Sequence, residues 1–187
     1  MIFSTISRLV NGVKGGVTAS LKGAADIGSE TVGAVKNVVS TTLKEAGEFV
    51  SEGVNGSASI VSGALKGVMG VGVTAIKAVK GVVGGTVEGF MAEGGKQEDA
   101  VRGAVGQAIY DAKELGVNIG DTAVEAVMGA IEAVKNVGGD TAAATKDSIV
   151  SALDVAKDIS EESYESVKKS LETGVEGAKE IIDEIKK

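Results

Sequence analysis

An eleven-residue repeat runs through the whole chain and limits what it can fold into. The 187 residues divide into seventeen elevens, and the phase never slips. The column headed by Ile6 runs through Val17, Val39, Val50, Val61, Val83, Val105, Val127, Ile149 and Leu171. The column headed by Val10 holds Leu21, Leu43, Leu65, Ile76, Val87, Ile109 and Ile131, and the one headed by Ile2 holds Val13, Val35, Val68 and Val79. Eleven residues make three turns of a slightly relaxed α-helix, about 98° per residue. On that wheel the columns headed by Thr5, Leu9, Ile2, Ile6 and Val10 are neighbours and form an apolar arc of about 130°, wider than a coiled-coil seam.

The remaining columns are sorted by chemistry. Beside the arc lies a lysine edge that includes Lys14, Lys36 and Lys80. On the other side lies a slim edge of glycine and alanine, with Gly12, Gly23, Gly56, Gly67 and Gly89. The back of the wheel carries 22 of the 26 acidic residues. The pattern specifies an all-α chain of very long amphipathic helices.

What the chain lacks narrows its chemistry. It has no cysteine, histidine, proline or tryptophan. Thiol and imidazole catalysis, disulfides and zinc fingers are therefore excluded, and nothing breaks a helix from within as proline would. The carboxylates sit on the solvent face of the wheel, so no catalytic residue, metal site or cofactor is read, and the chain is not expected to be an enzyme. Residues 1–93 carry 8 Lys/Arg and 7 Asp/Glu, while residues 94–187 carry 11 and 19. An acidic chain with dispersed lysines does not suit nucleic acid, which needs a clustered basic face. The first residues show no secretory signal. The expected location is cytoplasmic, peripheral at a lipid surface, or within an assembled structure.

One repeat spoils the arc. Residues 89–99 place Glu93, Gly94, Gln97 and Glu98 at apolar positions. Glu93-Gly94-Gly95-Lys96-Gln97-Glu98 reads as a helix stop, a turn and a new start. The chain is thus expected to form a single repeat domain, 1–187. A first helical arm over 1–92 turns at 93–98, through Gly94 and Gly95, into an acidic second arm over 99–187, making an antiparallel hairpin. Weaker interruptions fall at 53–57, at 116–122 (with Thr122 and Glu125 as a capping box) and at 138–140. Gly72, Gly94, Gly116 and Gly138 recur 22 residues apart, where facing helices could touch.

The 28 glycines also carry an energetic message. Each one inside a helix costs about 0.8–1 kcal/mol relative to alanine. Such a helix needs a surface on which to bury its arc. The expected lipid- or self-association face comprises Val17, Leu21, Val35, Val39, Leu43, Val50, Val61, Leu65, Val68, Ile76, Val79, Val83, Val87, Val105, Ile109, Val127 and Ile131. Lys14, Lys36 and Lys80 are placed to meet lipid head groups with their stems buried. Gly81, Gly85 and Gly89 form a small-xxx-small series suited to close helix packing. Residues 60–92 are the most apolar stretch, but lysines lie inside it, so interfacial burial or helix packing fits better than a membrane span. The string Gly70-Val71-Gly72-Val73-Thr74-Ala75 lacks a preceding strand and does not make a dinucleotide site.

The repeat, the valine-rich arc and the edge lysines resemble those of synucleins, perilipins and group 3 late-embryogenesis-abundant proteins. Gly84-Gly85-Thr86-Val87-Glu88-Gly89 and Asn136-Val137-Gly138-Gly139, followed by Thr141-Ala142-Ala143-Ala144-Thr145, are similar to synuclein text. The lysine-threonine-lysine-glutamate-glycine-valine core of synucleins is missing. The resemblance implies helix formation conditional on lipid. The leading expectation is a protein that coats or associates with a lipid or membrane surface through its valine-rich face. The alternative is a structural protein that self-assembles through that face into a bundle, sheath or filament, and the third is a desiccation-type protectant. The expected partners are lipid, copies of the chain, or both.

Overall fold

A computed structural model describes residues 2–21, 33–41, 53–70, 72 and 74–186. Among these residues there are helices and turns and no strand. The helices are α1 (Ile2–Leu21), α2 (33–41), α3 (Gly53–Met69), α4 (Ala75–Ala92), α5 (Gln97–Leu115), α6 (Ile119–Asn136), α7 (Thr141–Ile159), α8 (Glu161–Gly174) and α9 (Ala178–Ile185).

The unit of structure is 22 residues long, twice the sequence repeat. Helices α3 to α7 begin at residues 53, 75, 97, 119 and 141, each 22 after the last. Gly72, Gly94, Gly116 and Gly138 keep the same spacing, and all have positive φ, between 67° and 89°. Each donates its N–H to the carbonyl three residues back, on Met69, Met91, Lys113 and Lys135, at 3.0–3.2 Å. Only glycine adopts this left-handed conformation without strain. Two residues further on come the N-caps Thr74, Lys96, Asn118 and Asp140. The Asn118 and Asp140 side chains accept from the backbone N–H groups of Asp121 and Ala143, satisfying donors that the helix leaves free. The α7–α8 junction is tighter: Ser160 ends one helix and caps the next, accepting from the Ser163 N–H at 3.0 Å.

Odd and even helices form two rows. α1, α3, α5 and α7 pack in order, as do α4, α6 and α8, while successive helices from α3 to α9 join the rows. α2 extends the even row, since Val39 and the Lys36 carbonyl lie against Gly89 of α4. α9 closes the far end against α7 and α8. Each helix thus touches near neighbours in sequence, as in helical repeat arrays. The core lies between the rows. Val17, Val39, Val61, Val83, Val105, Val127, Ile149 and Leu171, one per helix and 22 residues apart, are all fully buried.

The structure corrects several expectations. Two arms of about 90 residues do not form; among the described residues the longest helix is α1, at 20 residues. The reason is the left-handed glycine at every second repeat, whose geometry a helix cannot continue. The turn after Ala92 exists, but it spans 93–96 and is one of a series rather than the single central bend. Gly53 to Ser57 open α3 instead of interrupting it. Thr122 does not cap α6; its hydroxyl donates to the carbonyl of the true cap, Asn118, at 2.7 Å. Gly72, Gly94, Gly116 and Gly138 are turn residues and not points of helix contact.

Candidate functional site

The residues of the expected association face are gathered together, inside the molecule. Val17, Val35, Val39, Val61, Leu65, Val68, Val79, Val83, Val87, Val105, Ile109 and Val127 are all buried against the chain's own helices. Ile76 and Ile131 remain half-buried. Leu43 and Val50 lie outside the described residues, as does the side chain of Leu21.

The lysine edge ties neighbouring helices of one row. Lys36 of α2 pairs with Glu88 of α4 at 3.0 Å, and Lys80 of α4 with Glu132 of α6 at 2.8 Å. Both pairs are 52 residues apart, so the same contact recurs at the next helix of the row, 44 residues later. Glu88 is only 6 % exposed, and it also accepts from the Asn136 amide at 3.0 Å. Lys14 is exposed on α1. In the other row Arg102 reaches Asp147 at 3.3 Å, and Ser151 donates to the Arg102 carbonyl at 2.9 Å.

The slim edge, together with the two adjoining columns of the wheel's back, is where backbones meet. A Cβ built on Gly67 would lie 2.7 Å from the Lys14 carbonyl oxygen, and one on Gly63 would lie 2.6 Å from that of Val10. Gly89 makes the equivalent approach to Val39 and the Lys36 carbonyl, Gly103 to the Val54 carbonyl, and Gly129 to the Lys80 carbonyl. Each of these glycines sits on the later helix and faces the helix two before it. Gly81 and Gly85 are buried on the same edge of α4, and Gly94 and Gly95 form the turn that follows it.

On α1, among the described residues, nothing covers this edge. Gly12, Gly15 and Ala19 are exposed, and a Cβ on Gly12 or Gly15 would meet no atom within 4 Å. Their equivalents 44 or 88 residues later, Gly56, Gly103 and Gly63, are buried. The first helix thus presents an open copy of the contact surface that the interior helices use. No family model, curated protein or solved structure matches the chain.

Among the described residues no helix is long and apolar enough to cross a membrane, and no group of three acidic side chains is arranged to hold a metal ion. One carboxylate is unusual. Asp111 of α5 is buried, and burial pushes its carboxyl above the ordinary aspartate range, partly offset by a hydrogen bond from Gln107 (2.7 Å) and by Lys66 and Ser62. Sequence reasoning missed Asp111 because its column is mostly glycine and alanine. It also missed the caps Asn118 and Asp140. Their signal was the polar residue two places after each 22-spaced glycine.

Proposed function

We propose that the protein is a non-enzymatic helical-repeat structural protein that assembles with copies of itself. The observation that carries this reading is the open slim edge of α1. Gly12, Gly15 and Ala19 are exposed, whereas their counterparts Gly56, Gly103 and Gly63 on interior helices are buried in packing contacts. The occupant that fits is a helix of the same kind. Two copies meeting edge to edge through α1 would satisfy both surfaces at once, as a two-fold interface requires. Small residues there allow the close approach that dispersion forces need.

Coating of a lipid surface through the valine-rich face is less well supported, because that face is spent on the chain's own core. Lipid would have to unpack the rows to reach it. The test is sedimentation velocity over a range of concentrations. Self-association is expected in the unmodified protein and is lost on Gly15→Glu with Ala19→Glu. These exposed substitutions leave the monomer folded by circular dichroism. A protein that stays monomeric at all concentrations, or a variant that assembles as before, contradicts the proposal.

A further inference from the structure

The even row leaves two adjoining grooves beside α6, of about 630 and 700 Å³. Both run along the α8 side of α6 and meet at Gly174, the last residue of α8. A Cβ on Gly174 would lie 3.0 Å from the methyl groups of Val124, so only a residue without a side chain lets the two grooves adjoin there.

Their floor is apolar. Val124, Met128 and Ile131 are spaced i, i+4 and i+7 on α6 and form one stripe. Met128 is 39 % exposed, and Val124 and Ile131 are half-buried. Ile76 of α4 extends the first groove. Ile76 and Ile131 are also the described residues of the expected association face that the core does not fully cover.

The rim is acidic. Asp121, Glu125 and Glu176 line the grooves together with Glu132, which Lys80 already pairs, against Lys135 and Lys169. An apolar stripe of about two helical turns between carboxylates complements one ligand chemistry: an amphipathic helix with an apolar face and lysine or arginine at its margins. We infer that the α6–α8 grooves dock a basic amphipathic helix of a partner protein. This site is separate from the α1 edge and does not depend on self-assembly.

The test uses the full chain and a fluorescein-labelled synthetic helix with leucine on one face and lysine on the other, followed by fluorescence anisotropy. Saturable one-to-one binding is expected, and a counterpart with glutamate in place of lysine does not bind. Met128→Glu weakens binding at least tenfold, as does Glu125→Lys with Glu176→Lys. Met128→Ala, which adds no charge, weakens it less and in the same direction. Asp154→Lys with Asp158→Lys, on the exposed face of α7, leaves it within twofold. The inference is overturned if the α7 reversal weakens binding as much, since attraction would then be charge alone, or if Met128→Glu has no effect. It is also overturned if Met128→Glu abolishes self-association without peptide or binding to phosphatidylcholine vesicles, because a second copy or a lipid surface would then be the occupant.

Discussion

At the scale of single residues, glycine has three different roles in this chain, and the structure separates them. Gly94 supplies a left-handed backbone. Gly63 supplies room, since a methyl group there would collide with the Val10 carbonyl at 2.6 Å. Gly15 supplies neither among the packed helices of the monomer. Gly63→Ala is therefore expected to cost 1–3 kcal/mol, the usual range for overpacking. Gly15→Ala should stabilise the monomer by about 0.8–1 kcal/mol, the helix-propensity difference. Urea unfolding of the two variants checks the opposite signs. Asp111 gives a prediction with a pH signature. Burial raises its pKa in the folded state above the unfolded value, so folding favours the protonated acid. That contribution is present below the unfolded pKa and is lost as pH rises through the folded one, where the buried acid becomes a carboxylate. Asp111→Asn keeps an oxygen for Gln107 and should stabilise the fold at pH 7 by about 1 kcal/mol. The gain should shrink toward pH 4, and thermal unfolding at the two pH values checks it. An equal gain at both would mean that burial of charge is not the cause.

At the scale of elements, helix was legible in the sequence and helix length was not. The apolar arc repeats every eleven residues whether the chain runs straight or folds back after every second repeat. Val83 and Val105 keep the same phase in both cases. The deciding information was carried by a few backbone-directing residues. Gly116 and Asn118, then Gly138 and Asp140, mark a stop and a start in the same order, and Gly72, Gly94, Gly116 and Gly138 already stood 22 apart. Their meaning depends on φ, which residue type suggests and only the fold fixes. At 93–98 the signal was readable because Glu93 and Glu98 replaced apolar residues. At Gly72 the flanking valines hid it. Asp140 also carries a tertiary load: besides capping α7, its carbonyl and N–H pair with the Gln97 amide at 2.8 and 3.0 Å. Asp140→Ala should cost about 0.5–2 kcal/mol through the lost cap. Gln97→Ala should add a separate loss, read by denaturant unfolding of the single and double variants.

At the scale of the whole molecule, a chain that looked like one conditional helix becomes a two-row array that supplies its own partner surface. Val39, Val61 and Val83 need no lipid to leave water, because adjacent helices cover them. The energetic argument from glycine survives in altered form. A weak helix does need a surface, and the surface is the next helix of the same chain. The candidate site was legible only in its materials. The small edge and the lysine edge were visible on the wheel, but their exposure on α1 and their pairing elsewhere depend on which helices pack side by side in a row. The most direct measurement is the distance between spin labels at Lys80→Cys and Glu132→Cys, two half-exposed or exposed positions whose native side chains lie 2.8 Å apart. Electron–electron double resonance in lipid-free buffer should give a distance within about 20 Å, since packed helix axes lie 8–10 Å apart and the labels add their own reach. A long hairpin turning near residue 95 would give about 31 Å, and a continuous helix about 78 Å, at 1.5 Å per residue. Either longer distance would contradict the folded two-row array.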